Sequence, residues 1–162
     1  MPTITLHQYR PGVIDDVVLH HDTYYREHWQ FDDRFKAQVT EELTEFIETL
    51  DPARDCFWWA ASGGDFAGAI AVDGSRSGEG QARIRWFIVP EQFQGDGIGA
   101  TLFDLAMQHC RSKDFKAVYL WTFEGLGAAK KLYERSGFQL TQTQRGKGWG
   151  PEITEQKFEM TP

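Results

Sequence analysis

Three glycines alternate with other residues in Gln94-Gly95-Asp96-Gly97-Ile98-Gly99, and the flanking segments fix what this turn must do. Before it, Ala82–Val89 reads as a strand that Pro90 ends. After it, Ile98, Leu102, Leu105, Ala106 and His109 share one helical face. The chain therefore passes from a strand into an amphipathic helix over backbone largely free of Cβ atoms. The first turn of a helix leaves N–H groups without partners, and the helix dipole adds positive potential there. Glycines let an anion approach those groups closely, so the turn is a candidate pyrophosphate seat. A plain strand-to-helix turn is the alternative. No Gly-Lys-Ser/Thr follows, which excludes the nucleotide-triphosphate loop, and the glycine spacing is not the dinucleotide fingerprint.

The remaining elements follow from periodicity and turn residues. Thr3–Tyr9 alternates as a strand, with Ile4 and Leu6 on one face. Asp15–His28 and Phe31–Leu50 carry apolar residues at helical spacing, and Asp51-Pro52 stops the second. Cys56–Ala61 and Phe66–Val72 flank Ser62-Gly63-Gly64-Asp65 as a hairpin, and Asp73–Gly80 is a second turn. Ala117–Thr122 is a buried strand. A short helix runs from Gly125 or Leu126 to Ser136 and is closed by Gly137. Phe138–Thr143 and Thr154–Met160 are the last strands, joined by the loop Arg145–Pro151. The order β-α-α-β-β-β-α-β-α-β-β describes an α+β domain on one mixed sheet, and 162 residues suit a single domain spanning 1–162.

Charge and composition exclude several functions. With 24 acidic and 17 basic residues the net charge is −7, and the basic stripe of a nucleic-acid binder is missing. An acidic surface suits a cationic partner such as an amine. No apolar run is long enough to span a membrane, and Met1–Arg10 lacks the pattern of a secretory signal. Cys56 and Cys110 cannot form a disulfide framework or a zinc site by themselves, and His20-His21 lacks metal-ligand spacing, so no metal is expected. The expected compartment is the reducing cytoplasm. Aromatic residues make up 14% of the chain, enough to supply a bulky core and the wall of a small-molecule pocket.

In this context Gln94-x-x-Gly97-x-Gly99 resembles the Arg/Gln-x-x-Gly-x-Gly/Ala motif of the GCN5-related N-acetyltransferases. Ala128-Ala129-Lys130-Lys131-Leu132-Tyr133-Glu134-Arg135-Ser136-Gly137-Phe138 resembles the second signature of that family, anchored on Ala129, Tyr133, Gly137 and Phe138. Arg83-Ile84-Arg85, Leu120-Trp121-Thr122 and Asp51-Pro52-Ala53-Arg54 are similar to acetyltransferase domains carried by some bacterial regulators behind a winged-helix (MarR-type) domain. This chain looks like a stand-alone version.

The resemblance implies a fold of about seven mostly antiparallel strands with four helices, and acetyl-CoA lying between the fourth and fifth strands. Phe87, Ile88 and Val89 would present backbone to the pantetheine arm, with an N–H at Ile88 or Val89 stabilising an oxyanion. Gln94, Gly95, Asp96, Gly97, Ile98, Gly99 and Ala100 would surround the pyrophosphate. Thr122, Ala129 and Lys130 would add cofactor contacts. Tyr133 matches the family's usual general acid, since a phenol with a pKa near ~10 can protonate a departing thiolate. Leu126 stands where many members have an asparagine. The strand before the turn offers no carboxylate, so the base is a water relay or one of Glu27, Asp32 and Glu124, unless the amine arrives neutral.

The acceptor side would be walled by Tyr25 and Trp29, with Trp149 closing the opposite side. An arginine on a central strand is costly unless paired, so Arg85 either joins a local carboxylate or clamps a substrate carboxylate. In the latter case the acceptor is an amino-acid-like primary amine. Two other readings remain open: a non-catalytic acyl-CoA sensor, and a transferase acting on a protein lysine or N-terminus. Members of the family commonly pair through their last strands, so a homodimer is a further implication.

Overall fold

A computed structural model describes residues 3–162. Its elements are β1 (Ile4–His7), α1 (Val13–Trp29), α2 (Asp33–Glu48), β2 (Cys56–Ser62), β3 (Asp65–Asp73), β4 (Gln81–Ile88), α3 (Ile98–Ser112), β5 (Ala117–Phe123), α4 (Gly127–Arg135), β6 (Gln139–Gly146) and β7 (Ile153–Met160). A single 3₁₀ turn, Glu91–Phe93, precedes α3. The seven strands form one sheet in the order β1-β2-β3-β4-β5-β7-β6. Every neighbouring pair is antiparallel except β4 with β5. The element order and fold class match those read from the sequence. β1 is shorter than expected and lies at an edge, so Ile4 and Leu6 stay 37% exposed.

Two apolar layers cover the sheet. On one face α3 buries Ile98, Leu102, Phe103, Ala106, Met107 and Cys110 against Ile70, Val72, Ile84, Val118 and Leu120. On the other, α1 and α2 bury Val13, Val17, Phe35, Val39, Leu43 and Phe46 against Trp59, Ala69, Ala71 and Trp86. Leu43 and Phe46 are essentially inaccessible, and each contributes roughly 1.5–3 kcal/mol by burial. α2 is nucleated by Asp32, whose carboxylate accepts the Arg34 backbone N–H at 3.0 Å. β3 is buried on both faces because both layers meet across it.

Two irregularities in β4 make the site. The β4–β5 ladder runs from Gln81↔Ala117 to Ile84↔Leu120 and stops, although both strands continue. Beyond that point β4 stays with β3 while β5 stays with β7, and a wedge opens between them. Between Arg85↔Ala71 and Ile88↔Ala69, β4 holds one residue more than β3, a β-bulge with Trp86 at φ 49°. The bulge sends Trp86 into the α1/α2 core and Phe87 against the α3 core. Arg83, Arg85 and Phe87 share one parity by sequence, but the bulge breaks that relation: Arg85 pairs with Glu42 of α2, and Phe87 packs on Phe103 of α3.

Candidate active site

A cleft of about 630 Å³ follows the wedge from the start of α3 to the α1/α2 side of the sheet. At its first end Gly95 and Gly97 take φ 91° and 81°, the left-handed region where a side chain is strained. A Cβ built on either would meet nothing within 4 Å, so open space stands over both. Gly97 caps α3 without a side-chain acceptor, and no acidic residue occupies the first turn. The early N–H groups of α3 have no side-chain cap, and Gly95, Gly97, Ile98, Gly99 and Ala100 all line the cleft. Gln94 Nε2 donates to Val89 O at 2.9 Å, tying the turn to the end of β4. This combination of bare glycines, free amides and a positive dipole end fits a diphosphate.

In the middle of the cleft Phe87, Ile88 and Val89 face Leu120, Thr122 and Phe123 across the wedge, and Leu126, Ala129 and Tyr133 close one side. Leu126 is the N-cap of α4. Tyr133 is only 5% exposed and packs among Phe87, Phe103, Phe138 and Phe158. Its hydroxyl has no hydrogen-bond partner among the described residues. It is nevertheless not sealed in the core, so it opens onto the cleft. Burial holds its pKa above the ordinary phenol value, and the proton stays on the oxygen.

The far end is aromatic. Tyr25, Phe35, Trp86, Trp121, Phe123 and Trp149 line it. Trp149 Nε1 donates to Gln38 Oε1 at 2.9 Å, and Trp149 O accepts from Asp32 N at 2.9 Å, so the last loop is fastened to α2. His21 Nδ1–H donates to Val17 O at 2.8 Å, leaving Nε2 with its lone pair, and desolvation lowers its pKa to about 4. Arg85 Nη2 meets Glu42 Oε2 at 2.6 Å and Nη1 meets Asp73 Oδ2 at 3.5 Å, with the guanidinium 4.2 Å over the Trp86 ring. The local ion pair weighed for Arg85 is thus present, and its fork is occupied.

Most residues singled out by sequence converge on this cleft: Tyr25, Arg85, Phe87, Ile88, Val89, Gln94, Gly95, Gly97, Ile98, Gly99, Ala100, Thr122, Ala129, Tyr133 and Trp149. Three do not line it. Asp96, in the glycine turn, and Lys130, on α4, are exposed and outside the lining. Trp29 packs behind the wall against Phe31 and Phe123, with its ring 3.1 Å from where a Gly125 Cβ would stand. The suggested bases are also absent from the lining: Asp32 caps α2 and pairs with Arg34, and Glu27 and Glu124 lie outside. The lining carboxylates are Glu42 and Glu155, which strand and helix register alone could not bring to one place. His109 is not a pure core residue, since its Nε2 bonds Arg54 O at 2.8 Å. Among the described residues no cluster of three His, Cys, Asp or Glu could hold a metal, and no helix is long and apolar enough to cross a membrane.

Comparison with known proteins agrees with this geometry. The model of the acetyltransferase (GNAT) family matches residues 15–138. N-acetylaspartate synthetase of Danio rerio is 32% identical over 90 residues, 56% of this chain and 32% of the relative. N-acetyltransferase family 8 member 2 of Rattus norvegicus is 31% identical over 103 residues, 62% of this chain and 46% of the relative. The chain therefore spans less than half the length of these curated relatives. The structure of yncA from Salmonella typhimurium with its cofactor acetyl-CoA superposes with a TM-score of 0.73 at 15% identity, covering 98% of this chain and 93% of that one. A strand wedge, an uncapped glycine turn and a tyrosine at its mouth, together with a family match over most of the sequence, establish that the chain belongs to the GNAT acetyltransferase family.

Proposed function

We propose that this protein is an N-acetyltransferase that uses acetyl-CoA and a small, amino-acid-like primary amine bound together in the cleft. The observation that carries the reading is continuity. One cavity joins the free amides of α3, the wedge, Tyr133 and the aromatic end, so donor and acceptor can meet directly. The cofactor supplies an acetyl group activated as a thioester. Gly95, Gly97, Ile98, Gly99 and Ala100 would hold its diphosphate, and the backbone of Phe87–Val89 its pantetheine arm, with an N–H at Ile88 or Val89 aimed at a carbonyl oxygen. Thr122 and Ala129 would add contacts.

Tyr133 keeps its proton and serves as a hydrogen-bond donor to the departing sulfur. Glu155 is a lining carboxylate without an arginine partner, bonded by Gln144 Nε2 at 2.9 Å, and it supports proton removal from the amine directly or through water. No covalent enzyme intermediate is required. Cys56 and Cys110 lie outside the cleft, and burial pushes both thiols up to about 12, far from a reactive thiolate. A relative named for making N-acetylaspartate lends support to an amino-acid-like acceptor.

The test is thiol release from acetyl-CoA across amino acids, ω-amino acids, polyamines, aminoglycosides and peptides. Turnover with small zwitterions is expected. Turnover with peptides alone would move the assignment to a protein acetyltransferase, and cofactor binding without turnover on any amine would make the protein a sensor.

A further inference from the structure

One cation at the inner end of the cleft has no partner among the described residues. Arg76, Arg83 and Arg85 surround two carboxylates, Asp73 and Glu42. Arg85 takes Glu42 at 2.6 Å and Asp73 at 3.5 Å, and Arg76 takes Asp73 at 3.4 Å. Arg83 makes no ion pair and no hydrogen bond among the described residues. Its Nε is the buried side-chain nitrogen left without a partner, yet the residue lines the cleft. Of the three arginines, Arg83 is the one left without a carboxylate partner. A buried, unpaired cationic donor is expensive, and a single carboxylate from a ligand offsets that cost. Desolvation and the like charge of Arg85 pull the Arg83 pKa down, only partly offset by Tyr119, Glu42 and Asp73.

We propose that Arg83 anchors the anionic group of the acceptor, and that this group sits several bonds from the reacting amine. The placement of the amine rests on the transferase reading above. Arg85, whose two terminal nitrogens already meet Glu42 and Asp73, is thereby a support for Arg83 and not the clamp itself. Spacing follows from the strand. Arg83 stands four to five residues before Phe87 and Ile88, roughly 13–16 Å at ~3.3 Å per residue. The bulge and the length of the Arg83 side chain take up part of this, and the remainder suits a side-chain or ω-carboxylate several bonds from the amine better than an α-carboxylate. Tyr119 is the register partner of Arg83 on β5, and Trp121, two residues on, lines the cleft between the two ends. An aliphatic linker would lie across the Trp121 ring. Lys157, over the Tyr119 ring, pairs with Glu159, so Glu159 is not free to serve Arg83.

The experiment uses a homologous series: glycine, β-alanine, γ-aminobutyrate, δ-aminovalerate and ε-aminocaproate, each beside the alkylamine of equal length. Two readouts are taken on the full chain, thiol release with acetyl-CoA and calorimetric binding in the presence of coenzyme A. The longer acids are expected to exceed their alkylamines by about tenfold or more in kcat/KM. Arg83→Gln is expected to remove that advantage through KM, and Arg83→Lys to restore part of it. Coenzyme A affinity confirms that each variant is folded. An acid preference that survives Arg83→Gln, or a preference for glycine over the longer acids, would overturn the inference while leaving the transferase reading intact. Acids that bind through Arg83 without being acetylated would overturn the transferase reading and leave the anion anchor standing. Failure of any acid to bind would overturn the anchor.

Discussion

At the scale of single residues, two positions carry the proposed chemistry, and one atom removed or added at each tests it. Tyr133→Phe deletes one oxygen and keeps a ring that packs 5.6 Å from Phe103 and 5.9 Å from Phe158. We expect an unchanged melting temperature and a fall in kcat of about 100-fold, with KM for acetyl-CoA little altered. An unchanged kcat would remove Tyr133 from the mechanism. Gly97→Ala places a Cβ in open space, so no clash arises, but its φ of 81° costs an alanine about 1–2 kcal/mol. The same methyl stands where the diphosphate would approach. Coenzyme A affinity should fall by more than tenfold while the protein loses only a few degrees in melting temperature. Equal affinity in wild type and variant would show that the anion binds elsewhere.

At the scale of elements, much was legible because periodicity and punctuation agreed. The stripe Phe35, Val39, Leu43, Phe46 announced α2, and Gly137, at φ 95°, announced the end of α4. The glycine turn was legible as an anion seat because its physics is local. The bulge at Trp86 was not, since nothing in Arg83–Ile88 marks which residue will be the extra one. That single residue decided which side of the sheet received Phe87 and which received the arginines. Nor could the sequence show that Glu42, on α2, and Asp73, at the end of β3, would both reach Arg85. That network is structural as much as functional. Arg85→Met is expected to destabilise the fold by about 3 kcal/mol, measured by urea unfolding, because it leaves Asp73 buried with one arginine fewer. A variant as stable as wild type would show that Arg76 alone suffices. Glu155 was missed for the same reason: its place in the cleft comes from pairing with Phe123 on β5, a long-range fact.

At the scale of the whole molecule, the splay of one sheet creates the cleft, and two helical layers keep it open. The α1/α2 layer also carries a pH dependence. His21 is held neutral inside it, with its pKa lowered from 6.5 to about 4 by burial. Between those values the unfolded chain binds the proton and the folded one does not. Stability is therefore full above pH 6.5 and declines as pH falls toward 4. The drop amounts to about 3 kcal/mol on the scale of 1.36 kcal/mol per unit. In His21→Leu this part of the acid limb should flatten; an identical pH profile would assign the acid sensitivity to other groups. The central claim is that the amides at the start of α3 grip the diphosphate of acetyl-CoA. Titration of acetyl-CoA into ¹⁵N-labelled protein, followed by amide NMR, tests it most directly. Saturable binding with the largest shifts at Gly95, Gly97, Ile98, Gly99 and Ala100 is the expected result; no binding, or shifts centred away from that turn, would contradict it.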